Sequence, residues 1–185
     1  MRNIALIGPQ KAGKSTLAMY LMMHRNYERL GIADEIKRLV TSAHPAFDKH
    51  DTYPIRTFNG EEAISGRELL QQLGAAMREV DRDFLLRCLE HKYRNAQKLG
   101  SRIVIDDVRL DREVAFLRHL DPSIVVVRVT ASPLVRERRS GGALNAINDV
   151  TEIAWMSVEA DLVLDTTDTE PEDAYRQLVA GLEEL

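Results

Sequence analysis

Four short apolar runs punctuate the chain: Ile4 to Ile7, Ile103 to Ile105, Ile124 to Val127 and Leu162 to Leu164. Each is nearly continuous in hydrophobicity, the pattern of a strand covered on both faces of a parallel sheet. A weaker run, Leu30-Gly31-Ile32-Ala33, predicts a further short strand, with Asp34 as the N-cap of a helix through Val40. Helical spacing fills most of the intervals. Thr16 to His24 reads as the first helix, and Ser65-Gly66-Arg67-Glu68 is a capping box with Ile64 and Leu69 as its staple, so a helix begins there. Asp81 caps a segment running through Leu99 to Gly100, and Asp111 caps one bearing Val114, Leu117 and Leu120. Ser132-Pro133 opens a short helix that stops at Gly141-Gly142. Ile153 to Val158 reads as helical with Trp155 and Met156 in the core, and Ala174, Leu178 and Leu182 mark the closing helix. His44 to Gly60, with Pro45 and Pro54 and no clear period, reads as a long loop or flap. Strands alternating with helices predict an α/β fold with a doubly wound parallel sheet of five strands.

Composition narrows the class without changing that picture. The 185 residues, 44% hydrophobic, suffice for one well-buried core, so a single domain over 1–185 is expected. A net charge of −4 argues against a polymeric nucleic-acid partner held by a basic surface. The lone Cys88 sits in an apolar helical pattern and reads as a structural thiol. No 18-residue apolar run and no signal-peptide pattern are present, which predicts no membrane partner and a cytoplasmic location. No histidine lies at metal-ligand spacing, and no nucleophilic triad is readable.

The sharpest chemistry lies directly after the first strand. Gly8-Pro9-Gln10-Lys11-Ala12-Gly13-Lys14-Ser15 matches a phosphate-binding loop in its required strand–loop–helix context. Its glycines let backbone N–H groups converge on an anion at a helix N-terminus, Lys14 reaches β/γ-phosphates, and Ser15 offers a hydroxyl to Mg²⁺. Asp106-Asp107 stands at the C-terminal end of a strand, where open α/β sheets bind ligands; one carboxylate can serve the Mg²⁺ shell, the alternative being that both cap turns. On the capped helix Arg67, Gln71, Gly74 and Arg78 recur along one stripe, which suits a phosphorylated flat ligand approaching the glycine, or else is a solvated face. Arg136, Arg138 and Arg139 precede a glycine hinge and suit a lid closing over phosphate, against the alternative of a solvated basic turn. A guanine-reading Asn-Lys-x-Asp motif is absent.

The order and spacing of several of these pieces resemble the deoxynucleoside monophosphate kinases of tailed bacteriophages, a branch of the phosphate-loop nucleotide kinases. Besides the loop, the likeness rests on Ala33-Asp34-x-x-Lys37, on Gly66-Arg67-x-Leu69-Leu70-Gln71-x-Leu73-Gly74 with Arg78 and Asp81, and on Asp107-Val108-Arg109 with Glu113. The arginine-bearing segment after the fourth strand and Asp149-x-x-Glu152 complete it. Leu110-Asp111-Arg112, Phe84 and Val150-Thr151 depart from the familiar pattern at positions that bear on base preference. The resemblance implies strand order 2-3-1-4-5, a monophosphate-binding region over about 34–100 and a lid over about 133–150. It implies ATP as donor, Mg²⁺ as cofactor, a deoxynucleoside monophosphate as acceptor and a second copy of the chain as a candidate partner. ATP is expected at Gly8, Lys11, Ala12, Gly13, Lys14, Ser15, Thr16 and Arg136; acceptor at Asp34, Lys37, Arg67, Gln71, Gly74, Arg78 and Arg109; Mg²⁺ at Ser15 and Asp107. Catalysis is expected to rest on Lys14, Arg109, Arg136 and Arg139. A kinase of another phosphorylated metabolite, such as dephospho-coenzyme A or phosphomevalonate, and a non-catalytic ATP-binding regulator are the alternatives.

Overall fold

Strand β1 (Ile4–Ile7), buried along its whole length, forms the middle of a five-stranded parallel sheet. In the computed structural model, which describes residues 2–58, 60–141 and 154–185, β5 (Arg102–Val108) and β6 (Val125–Thr130) pair with β1 on either side. Strands β2 (Tyr27–Leu30) and β7 (Leu162–Asp165) form the edges, giving the order β2-β5-β1-β6-β7. The expected order, 2-3-1-4-5, omitted two strands: β3 (Thr52–Thr57) and β4 (Gly60–Ser65) lie between β2 and β5 in the chain and pair antiparallel in a sheet of their own. The labels differ for that reason, while the five parallel strands counted alone keep the expected neighbours.

The chain divides into two compact units, one comprising Met1–Gly31 with Glu90–Leu185 and the other Ile32–Leu89. The first carries the parallel sheet. Helix α1 (Lys14–Arg25) and α7 (Pro171–Glu184) pack Leu17, Ala18, Leu21, Ala174 and Leu178 onto Leu6, Val127 and Val129. Helix α5 (Asp111–Leu120) and α6 (Pro133–Ser140) follow β5 and β6. The second unit holds the β3–β4 hairpin with α2 (Asp34–Ala43) and α3 (Gly66–Val80), while α4 (Phe84–Lys98) begins in it and ends in the first.

Several boundaries differ from expectation, each for a local reason. β2 starts at Tyr27 instead of Leu30, because α1 ends at Asn26 in a left-handed conformation (φ 54°) and the strand follows at once. The segment expected as a flap contains β3, hidden by Pro54 and by the exposed polar residues around it. The helix expected from Asp34 has Ala33 as its N-cap and runs to Ala43; that expected from Asp111 is preceded by Leu110, with Asp111 as its first residue. Asp81 closes α3 and also leads into α4, its carboxylate accepting the Asp83 N–H at 3.1 Å and its carbonyl the Phe84 N–H at 3.2 Å. Ala154–Met156 is a single 3-10 turn whose Met156 is 59% exposed; the core residue there is Val158. Gly142, Asp149, Glu152 and Ile153 lie outside the described residues. Cys88 is free and half-buried. Among the described residues no helix is long and apolar enough to cross a membrane.

Candidate functional site

The turn from β1 into α1 is built from backbone conformations that few residues tolerate. Gly8 has φ 142°, Lys11 φ 63° and Gly13 φ 102°. A Cβ on Gly8 would stand 2.0 Å from the Val129 carbonyl oxygen, so the loop leaves β1 in contact with the β6 backbone and only glycine fits. Lys11 is a non-glycine residue in the left-handed region, strain that persists where surroundings over-determine it and that clusters at ligand sites. Gly13 is the N-cap of α1 and offers no side-chain oxygen, and the first turn carries no acidic residue. The positive dipole end of α1 therefore meets neither a cap side chain nor an acidic residue of its own first turn. Lys14 Nζ donates to the carbonyls of Gly8 at 2.6 Å and Pro9 at 2.7 Å, so its ammonium lies over the concave side of the loop.

The carboxyl end of β5 supplies the carboxylates. The register with β1 runs Ala5 to Ile105 and then Ile7 to Val108, so Asp106 and Asp107 together oppose the single residue Leu6. Such a bulge re-aims side chains beside active sites. It separates the two aspartates: Asp106 is buried and accepts from Arg29 Nε at 2.7 Å, while Asp107 is half-exposed. Asp106 is thus engaged inside the sheet by Arg29, and Asp107 is the more exposed of the two. Arg109 follows, its backbone N–H donated at 2.8 Å to the buried Glu113 carboxylate, which also accepts from Leu110 N–H at 3.0 Å. Glu113 thus satisfies the start of α5 from inside the helix and fixes the backbone that carries Arg109.

Helix α6 presents its arginines differently from one another. Its start follows the expected chemistry, with Ser132 accepting from Val135 N–H and Pro133 at the first position. Arg136 Nε is buried with no hydrogen-bond partner, and Arg138 is exposed. Arg139 is spent on the protein itself: Nη2 donates to the Thr166 carbonyl at 2.7 Å, Nη1 to the Thr166 hydroxyl at 2.9 Å and to the Lys11 carbonyl at 3.4 Å.

The remaining expected residues stand in the second unit. Ser65 caps α3, accepting from Glu68 N–H at 3.2 Å, and Arg67 N–H donates to the Lys49 carbonyl at 2.9 Å. Arg67 is half-buried, Gln71 and Arg78 are exposed, and Gly74 is buried. The space beside Gly74 is occupied: a Cβ there would stand 3.0 Å from Ile36 Cδ1 and 3.4 Å from Arg78 Nη1. The glycine admits Ile36 of α2, so the expected approach of a flat ligand to its backbone meets a side chain. Asp34 and Lys37 pair on α2 at 3.6 Å.

Sequence reasoning passed over Arg29, which holds Asp106, and Thr166, which holds the loop. Arg29 carried no signal, because it precedes the strand expected at Leu30; for Thr166 the one signal was its place just past the carboxyl end of a strand. Metal-site chemistry is limited in a specific way. Among the described residues no group of three or more His, Cys, Asp and Glu is placed to hold an ion. Ser15 and Asp107 offer hard oxygen donors, the set that suits Mg²⁺, an ion that keeps waters and phosphate oxygens for its other positions.

A family model described as deoxynucleotide monophosphate kinase matches residues 47–139, half of the chain. No curated protein matches the sequence. Solved structures align along nearly the whole length. A sugar kinase from Janibacter sp. HTCC2649 shares 17% identity at TM-score 0.59, covering 99% of this chain and 95% of its own. The APS kinase of Mycobacterium tuberculosis shares 14% at 0.59 (98% and 97% covered), and the shikimate kinase of Aquifex aeolicus 18% at 0.56 (100% and 97% covered). At these identities the likeness establishes a kinase-type α/β fold.

Proposed function

The chain belongs to the deoxynucleotide monophosphate kinase family and is a phosphotransferase, and from that premise we propose that it transfers the γ-phosphoryl group of ATP to a deoxynucleoside 5′-monophosphate. The observation that carries the reading is the independence of its two halves. The family match spans residues 47–139, whereas the phosphate loop lies at Gly8 to Thr16, wholly outside it. The phosphate loop and the family match therefore support the reading independently, while Asp107, Arg109, Arg136 and Arg139 lie inside the matched stretch.

In this reaction a phosphate oxygen of the monophosphate attacks the γ-phosphorus, and the bond from that phosphorus to the β,γ-bridging oxygen breaks, leaving ADP and the diphosphate. The attacking oxygen is already anionic, so no general base is needed; rate comes from alignment and from neutralising charge on the equatorial oxygens. Lys14 exchanges the Gly8 and Pro9 carbonyls for β/γ-phosphate oxygens. The N–H groups from Lys11 to Thr16 cradle the donor phosphates. Ser15 and Asp107 would hold Mg²⁺, which when bound neutralises phosphate charge. Asp34, Lys37, Arg67, Gln71 and Arg78 bind the acceptor with Arg109, and Arg136, whose Nε lacks a partner, meets the transferring phosphoryl group. Arg139 acts there only if it releases Thr166.

Purified protein with MgATP and each of the four common deoxynucleoside monophosphates at millimolar concentration tests this. ADP and the matching diphosphate are expected with at least one. Absence of ADP above the acceptor-free control with all four overturns the proposal.

A further inference from the structure

One buried side chain outside all of these roles ties the phosphate loop to two other elements. Thr166 follows β7 and is 3% exposed. Its hydroxyl lies 2.8 Å from the Ala12 carbonyl oxygen and 3.1 Å from that of Thr130, and receives a hydrogen bond from Arg139 Nη1 at 2.9 Å. A hydroxyl has one proton to donate. The Thr130 carbonyl already accepts the Thr166 backbone N–H at 2.9 Å, and the Ala12 contact is the shorter, so the proton belongs to Ala12. Donation therefore runs from guanidinium to hydroxyl to loop carbonyl. The cationic first bond polarises the second, and each is stronger than it would be alone.

The geometry of the peptide unit gives this chain a consequence for binding. The Ala12 carbonyl and the Gly13 N–H belong to one planar trans peptide and point in opposite directions. Holding the carbonyl against Thr166 fixes the direction of the Gly13 N–H, and in an anion nest the N–H directions are the site. The Thr166 side chain also stands 3.8 Å from where a Cβ of Gly13 would be, so it backs the loop sterically as well.

We propose that Thr166 is a positioning residue of the donor-phosphate loop: its hydroxyl, charged through Arg139, holds the Ala12 carbonyl so that the Gly13 N–H is aimed at bound phosphate. The conformation of the loop thereby depends on α6. The proposal rests on the loop being the ATP site, and it is independent of which acceptor is used.

Calorimetric titration of MgATP into the intact protein, without acceptor, reads it directly. Loss of a buried hydroxyl that leaves the Ala12 carbonyl unsatisfied is expected to weaken MgATP binding about tenfold in Thr166→Val. Thr166→Ser, which keeps the hydroxyl, is expected to bind within about twofold of the wild type. Arg139→Met is expected to weaken binding as well, and the loss in the Thr166→Val/Arg139→Met double variant to be smaller than the sum of the two single losses, since both residues share the bond to the hydroxyl while Arg139 also reaches the Lys11 carbonyl at 3.4 Å. Wild-type affinity in Thr166→Val, equal losses in the valine and serine variants, or additive losses in the double variant would overturn the proposal. If Thr166→Val fails to fold by circular dichroism, the other two single variants decide: wild-type affinity in Arg139→Met or a tenfold loss in Thr166→Ser overturns it. A wild-type protein that binds no MgATP removes the donor site and this proposal together. Binding without transfer to any monophosphate overturns the acceptor reading alone, and the Thr166 comparison is still decided by binding.

Discussion

Gly8→Ala separates a conformational cost from a steric one. The φ of 142° at Gly8 is one that an L side chain adopts only under strain, and the added Cβ would stand 2.0 Å from the Val129 carbonyl oxygen. The first term is about 1–2 kcal/mol for forcing a Cβ into a left-handed conformation. The second requires β6 or the loop to move by more than an ångström inside a close-packed sheet, an overpacking cost of about 1–3 kcal/mol. Gly100→Ala supplies the control, because Gly100 has φ 75° and nothing within 4 Å of a Cβ, so only the first term applies. Urea denaturation followed by circular dichroism should then find Gly100→Ala destabilised by about 1 kcal/mol and Gly8→Ala by about 2–5 kcal/mol. If the loop yields instead of the sheet, the loss moves from stability into MgATP affinity, which calorimetry on the same samples reads. A Gly8→Ala protein as stable as Gly100→Ala and binding MgATP as the wild type does would refute the reasoning.

Lys14→Ala should abolish phosphoryl transfer, with circular dichroism showing a folded protein; normal turnover would remove Lys14 from the donor site. Gly74→Ala sets about 1 kcal/mol of helix propensity against a methyl pressed onto Ile36 Cδ1, and Ile36→Val in the same chain should relieve that contact; strictly additive effects in the double variant would contradict it. Asp121 predicts an acid limb of stability. Burial alone would raise its carboxyl, but hydrogen bonds from Ser123, Tyr93 and Asn3 outweigh that and hold it below the usual carboxylate range. Its contribution is thus full above the unfolded value of about 3.9 and lost as pH falls through the lower folded value. Asp121→Asn should lower stability at pH 7 and flatten its fall below about pH 4; an unchanged pH profile would discount the network.

What was legible in the sequence was what the chain encodes locally. The phosphate loop is one continuous stretch whose glycines, lysine and serine carry their own geometry, and Ser65 and Ser132 cap helices with groups three residues away. What was missed depends on partners far along the chain. Glu28 and Arg29 gave β2 the polarity of a loop, yet Arg29 is turned onto Asp106, 77 residues on. Thr166 looked like the trailing residue of a strand, and its partners are Ala12 and Arg139. Gly74 was read as an opening for a ligand, and the occupant is Ile36 on the preceding helix. Asp34 and Asp111 stood where caps are usual, but those helices begin one residue earlier, and for α5 the capping oxygen comes from Glu113 inside it.

The two sets of residues proposed to hold phosphate are built by different means, and that difference sets how substitutions in them behave. The donor loop owes its shape to backbone dihedrals wedged between β1 and β6, with Ala12 buried and Thr166 behind it, so a change there strikes packing and binding together. Arg67, Gln71 and Arg78 project from α3, half-buried or exposed, on a helix whose buried residues are two glycines. Truncating the exposed Gln71 and Arg78 removes little packing, and surface changes of this kind stay within about 0.5 kcal/mol of stability. An effect of Gln71→Ala or Arg78→Ala on transfer would therefore be an effect on the acceptor, readable from KM with a melting temperature as its control. The same inference is not available for Gly8 or Thr166, where affinity must be separated from folding by conservative pairs. If the donor is bound through buried backbone and the acceptor through exposed side chains, as proposed, what the chain accepts can alter far more readily than what it transfers.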